Sequence, residues 1–308
     1  MNNVINNAYN TEVDYLGIKF KNPIITASGT FGFGFEYNQF YNLEKLGGIT
    51  VKGLTLNERQ GNPAPRIYET KGGILNSVGL QNPGVKHFSK NIMPLLKKID
   101  IKIIANVSGS TFSEYLEACK IVDDSGVDII ELNVSCPNVK HGGAAFGTDV
   151  ETLFEITRLI KDNIKTPLVV KLSPNVTDIA LMAKTAIEAG ADGISLINTL
   201  TGMAIDIDKR IPFFKNVVAG LSGPAIKPVA LRMVHQVYQA TKSEIIGMGG
   251  IETPNDGLEF LLAGAKLLSI GTANFRNPLA PIKILSGIEE YMKKHNIDNI
   301  NNLVGSLN

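Results

Sequence analysis

The sequence predicts an α/β fold, a (β/α)8 TIM barrel with inserted loops at the carboxyl-terminal face of its strands. Three observations carry that expectation. Short β-rich apolar runs alternate with amphipathic stretches almost to the end of the chain, the order that builds a parallel sheet. The runs are continuously apolar rather than alternating, as strands buried on both faces are. About eight such units follow one another in the 308 residues, the count of a closed barrel. A doubly wound sheet is the competing architecture. No Gly-x-Gly-x-x-Gly turn joins an early strand to a helix, because the nearest string, Gly29-Thr30-Phe31-Gly32-Phe33-Gly34, has the wrong spacing.

Strands are expected at 24–28, 48–54, 103–107, 128–134, 168–172, 193–198, 244–248 and 267–271, each rich in Ile, Val and Leu. Amphipathic helices are expected between them, most clearly at 112–124, 150–163, 179–189, 225–240 and 256–263. The repeat is interrupted twice. Residues 55–100 carry Gly61, Pro63, Pro65, Gly72, Gly73, Pro83 and Gly84, and residues 200–224 are glycine-containing and loop-like. Both read as long loops projecting from the carboxyl ends of strands, where barrel enzymes keep their chemistry. No stretch rich in Gly, Ser or Pro splits the chain, so residues 1–308 are expected to form one domain.

Composition narrows the partners. The chain is 44% hydrophobic and 19% charged, with 30 Lys+Arg against 29 Asp+Glu and a net charge of +1. That balance argues against nucleic acid or a membrane surface as a partner. The Asn-rich start, residues 1–9, lacks the basic and apolar regions of a signal peptide. Two cysteines make no disulfide framework, and a soluble cytoplasmic protein with reduced thiols is expected.

Polar residues gather at the strand ends: Lys52-Gly53, Asn106, Asn133-Val134-Ser135-Cys136, Lys171, Asn198-Thr199, Gly249-Gly250 and Gly271-Thr272. In a barrel these converge on one cup, and amides, two lysines and a thiol in an apolar cup make an active-site composition. The glycines at the last two ends, with Gly223, suit a phosphate held on backbone N–H groups, although tight turns alone also call for glycine. Lys52 and Lys171 are read as a Schiff-base nucleophile or as fixed positive charge, against the plainer reading of a lysine reaching solvent. Cys119 sits in a helical pattern and reads as core. Cys136 sits at a loop between polar residues and reads as chemistry. Cys136 and His141 alone do not make a metal site, so none is expected.

Long strings then carry a resemblance. Residues 27–34, Asn76-Ser77-Val78-Gly79-Leu80-Gln81-Asn82-Pro83-Gly84, Asn133-Val134-Ser135-Cys136-Pro137-Asn138, Val170-Lys171-Leu172-Ser173-Pro174-Asn175, Thr201-Gly202-Met203-Ala204-Ile205-Asp206 and residues 221–228 all resemble dihydroorotate dehydrogenases. The likeness runs from about residue 13 to the last helix, with no departure at a matched motif position. The Asn-rich termini lie outside it.

The resemblance implies a flavoprotein barrel with one FMN per chain that oxidises dihydroorotate to orotate in pyrimidine biosynthesis. It implies Cys136 as the base, as in the soluble class 1 enzymes. Ser28, Lys52, Gly53, Asn106, Asn133, Lys171, Ile197, Gly223, Gly249, Gly250, Gly271 and Thr272 match flavin-binding positions. Lys52, Asn76, Ser77, Val78, Gly79, Leu80, Asn133, Asn198 and Thr199 match the substrate set. Within class 1 the strings look like type 1B, which passes electrons to a partner subunit carrying FAD and a 2Fe-2S cluster and so to NAD, in a heterotetramer of two catalytic and two electron-transfer subunits. The alternatives are a type 1A homodimer that uses fumarate, a Schiff-base aldolase on the same barrel and, last, a non-catalytic binder of a phosphate ligand.

Overall fold

The computed structural model describes residues 9–134 and 146–307. Eight strands close a barrel: β1 (Ile24–Thr26), β2 (Gly48–Thr50), β3 (Lys102–Val107), β4 (Ile129–Asn133), β5 (Leu168–Lys171), β6 (Gly193–Leu196), β7 (Glu244–Met248) and β8 (Leu267–Ile270). Each pairs in parallel with the next in sequence, and β8 returns to β1. The expected strands all form. Several end a residue or more early, because the chain leaves the ladder where its side chains turn into the cavity at the strand mouths.

Helices α1 (Phe112–Ser125), α2 (Val150–Lys161), α3 (Ile179–Glu188), α4 (Lys227–Thr241), α5 (Pro254–Leu262) and α6 (Ala280–Lys294) cover the barrel. Their boundaries follow from capping chemistry. Thr111, Asp149, Asp178 and Thr253 each accept a backbone N–H of the first turn, satisfying donors that have no partner within the helix. In α2 the buried residues are Leu153, Ile156, Thr157 and Ile160, the i, i+3, i+4, i+7 stripe of a helix lying on a sheet. Below the barrel, a hairpin of Val13–Tyr15 and Ile18–Phe20 closes the amino ends of the strands. The Tyr15 hydroxyl donates to the carbonyl of Glu244 at the start of β7, and Tyr15 and Phe20 are fully buried.

The two insertions differ from the expected loops. Ile67–Thr70, Gly73–Asn76, Leu200–Met203 and Val218–Ser222 form one four-stranded antiparallel sheet. Its central pairing joins Gly220 to Asn76 and Leu221 to Leu75. Each insertion forms an antiparallel pair of its own, and Gly73–Asn76 and Val218–Ser222 join the two pairs into one sheet across more than a hundred residues of sequence. Among the described residues, no helix is long and apolar enough to cross a membrane.

Candidate active site

Side chains two apart on a strand share a face, so Glu131 and Asn133 both leave β4 on one side. Their neighbours across the ladder are Asn106 on β3, opposite Glu131, and Lys171 on β5, opposite Asn133. Ser195 on β6 stands opposite Lys171 in turn. Strand pairing alone therefore brings a carboxylate, an ammonium, two amides and a hydroxyl together near the mouth of the barrel.

These groups are buried and bonded to one another. Lys171 is 3% exposed and Glu131 is 1% exposed. The Lys171 ammonium lies 3.6 Å from Glu131 Oε2 and donates to Ser28 Oγ at 3.3 Å. Asn106 Nδ2 donates to Glu131 Oε2, and Ser195 Oγ donates to Oε1 at 2.8 Å. Asn133 Nδ2 donates to Asn106 Oδ1 at 3.3 Å. The backbone carbonyl of Asn133 is held by the hydroxyls of Tyr115 and Ser108 at 2.9 and 3.4 Å. A buried ion pair adds little net stability, but removing one partner costs about 3–5 kcal/mol because the other charge is stranded. This network is thus committed to its arrangement.

Above the network lies a cavity of about 1340 Å³, open mouth included. The antiparallel sheet forms one wall, with Ile67, Ile74, Asn76, Gly220 and Ser222 reaching the same space as the strand ends. Asn76 Nδ2 donates to the carbonyl of Gly220 at 3.3 Å. Asn175 ties the loops after β5 and β6 together: its Nδ2 donates to the Thr199 carbonyl and its Oδ1 accepts from the Thr201 N–H.

At the end formed by the loops after β7 and β8, Gly223, Gly249 and Gly250 carry positive φ of 112°, 123° and 78°. A Cβ on Gly250 would stand 2.9 Å from the Gly223 carbonyl oxygen, so only glycine lets these backbones approach. Close packing thus explains glycine here, and the same backbones line the cavity. Ser269 also lines it, and its buried hydroxyl has no hydrogen-bond partner.

All twelve residues expected around a cofactor line this one cavity: Ser28, Lys52, Gly53, Asn106, Asn133, Lys171, Ile197, Gly223, Gly249, Gly250, Gly271 and Thr272. Of the substrate set, Asn76, Val78, Gly79, Leu80, Asn198 and Thr199 join them. Ser77 does not: it is 1% exposed, its hydroxyl accepts from Asn62 and Asn216, and its N–H donates to the Arg66 carbonyl. Alternation along the strand and its continuation sends Ser77 to the opposite side from Asn76 and Val78. Cys136 lies outside the described residues, as does His141. Cys119 is fully buried in α1, and burial, reinforced by Asp123, pushes its thiol well above the ordinary range.

Sequence reasoning missed Glu131 and Ser195. A glutamate in the middle of an otherwise apolar strand was the available signal, since charged residues are rarely buried unless paired. Among the described residues no group of His, Cys, Asp and Glu is arranged to hold a metal ion.

A family model described as dihydroorotate dehydrogenase matches residues 10–292. Similar proteins include three with the name dihydroorotate dehydrogenase B (NAD(+)), catalytic subunit. That of Thermoanaerobacter pseudethanolicus is 54% identical over 298 residues, covering 97% of this chain and 99% of the relative. That of Alkaliphilus metalliredigens matches at 54% over the same shares. That of Caldicellulosiruptor saccharolyticus is 52% identical over 299 residues, again 97% of this chain and 99% of the relative.

Proposed function

The chain belongs to the dihydroorotate dehydrogenase family, and from that premise we propose that it oxidises dihydroorotate to orotate in pyrimidine biosynthesis as an FMN-dependent catalytic subunit. The observation that carries the reading is the convergence of Lys52, Lys171 and four asparagines, Asn76, Asn106, Asn133 and Asn198, on one cavity. The donor set fits FMN. A buried lysine, an unpartnered serine hydroxyl and the close-approaching backbones of Gly223, Gly249 and Gly250 suit a flavin ring and its phosphate.

The reaction removes a proton from C5 and a hydride from C6 and leaves a C5–C6 double bond. FMN, when bound, supplies the two-electron acceptor for the hydride. The chain supplies the rest. Cys136, which follows β4 in sequence, takes the C5 proton; a thiol serves as base only when deprotonated, so the site must favour its thiolate. Lys52, half-buried at the mouth of β2, pairs with the substrate carboxylate. The asparagine amides each offer a donor and an acceptor, matching a ring of alternating N–H and C=O groups. Lys171 would stabilise the negative charge that develops on the cofactor. The backbones of Gly223, Gly249, Gly250, Gly271 and Thr272 would hold the phosphate.

The reading includes one domain, a cytoplasmic location, and a partner subunit that carries FAD and a 2Fe-2S cluster and delivers electrons to NAD, two of each subunit per assembly. The name borne by the relatives, a catalytic subunit of an NAD(+) enzyme, supports the partner. The Schiff-base alternative loses ground at Lys171, whose ammonium is engaged by Glu131 and Ser28. The purified chain is expected to be yellow, with a band near ~450 nm that dihydroorotate bleaches anaerobically. A colourless protein that borohydride traps on a carbonyl substrate would overturn the reading.

A further inference from the structure

We propose that Glu131 is a positioning residue of this site, a carboxylate behind the cavity that pins the Lys171 ammonium and sets the direction of the Asn106–Asn133 amide chain. The proposal rests on the reading of the cavity as a flavin and dihydroorotate site. Glu131 does not line the cavity, whereas Lys171, Asn106 and Asn133 do. It acts on the ligand space only through them.

The geometry is specific. Glu131 sits between β3 and β5, and both of its oxygens are engaged: Oε1 by the Ser195 hydroxyl, and Oε2 by Asn106 Nδ2 and the Lys171 ammonium. An ionised carboxylate only accepts. Asn106 must therefore turn its N–H group toward Glu131, which leaves its Oδ1 toward Asn133, and Oδ1 accepts from Asn133 Nδ2. One carboxylate thus orders an amide chain running toward the substrate side and an ammonium on the cofactor side. Ser195, which stays out of the cavity, anchors the carboxylate from β6. Gly53 completes the fit, since a Cβ there would meet Asn106 Oδ1 at 2.9 Å.

The test is the midpoint potential of the bound flavin in wild type and in Glu131→Gln. The sign decides. A carboxylate acting only through its charge would raise the potential when neutralised, because more positive charge would remain beside the cofactor. A carboxylate that holds the ammonium in place lowers the potential when lost, because Lys171 no longer stands where charge develops. The expected result is a fall equivalent to about tenfold in the ratio of reduced to oxidised flavin, or ~30 mV for a two-electron couple. Reduction by dihydroorotate should slow by about tenfold or more. An unchanged or raised potential overturns the proposal. If Glu131→Gln does not fold, Ser195→Ala loosens the carboxylate without removing it. The same readouts should then move in the same direction by less, and an unmoved potential overturns it equally.

If wild type holds no flavin, the functional reading fails, and the network is tested in the flavin-free protein. Lys171→Met alone should lower the melting temperature, and adding Glu131→Gln to it should recover much of the loss. Additive losses would overturn the coupling.

Discussion

The two cysteines of the chain have opposite fates. Cys119 is fully buried among the apolar side chains of α1, where a small hydrophobe is needed and a thiolate is disfavoured. Cys136 follows the last described residue of β4's exit, Val134, and carries the proposed proton transfer. Cys136→Ala is expected to keep the flavin and its colour but to lose at least about a hundredfold in turnover, the scale of a missing general base. Cys136→Ser should recover part of that loss as pH rises, because a hydroxyl is a weaker acid than a thiol. Steady-state rates against pH check both, and near-normal turnover of Cys136→Ala at neutral pH would remove the base assignment. The string around Cys136 was legible in sequence as a polar strand end. Glu131 was not, because its significance lies in partners on three other strands.

At the scale of elements, α5 shows how a helix start is secured. Thr253 Oγ1 accepts from the Asp256 N–H while the Asp256 carboxylate accepts from the Thr253 N–H, a reciprocal capping box with Pro254 at the first helical position. Asp256 also accepts from the Lys227 ammonium at the start of α4. Burial opposes the charge on Asp256, but the Lys227 ammonium and the N–H and hydroxyl groups of Glu252 and Thr253 together outweigh it and hold the carboxyl below its ordinary range. Thr253→Ala should therefore cost about 1 kcal/mol, read as a lower melting temperature. For Asp256→Asn the sign follows from the lowered pKa. Its deficit relative to wild type should be full above the ordinary carboxylate range, about pH 4, and should shrink as pH falls through the folded pKa. Melting curves from pH 7 downward measure this, and a deficit that stays constant into acid would mean the charge is not what stabilises the helix start.

The whole molecule is a barrel whose two insertions meet across its mouth. The reaction's electrons must pass on to an acceptor, and the proposed route is a partner subunit. The purified chain alone is expected to reduce fumarate poorly, and NAD reduction is expected only when the FAD and 2Fe-2S subunit is co-expressed. Efficient fumarate reduction by the lone chain would instead make it a type 1A enzyme.

The eight barrel strands and the helices α1 to α5 could be read along the chain because each is defined by local pattern: continuous apolar runs, amphipathic spacing and caps. The cavity residues could be read because strand ends in a barrel share one face, which makes a one-dimensional inventory of those ends a map of the site. The antiparallel sheet could not, since its two local ladders, Ile67–Thr70 with Gly73–Asn76 and Leu200–Met203 with Val218–Ser222, become one sheet only when Gly73–Asn76 pairs with Val218–Ser222. Nor could the exclusion of Ser77 from the cavity, which depends on that pairing to set which way each side chain turns. The Glu131 network belongs to the same class. Its residues come from β3, β4, β5 and β6, and hydrogen bonds of about 3 Å between them exist only once the barrel has closed.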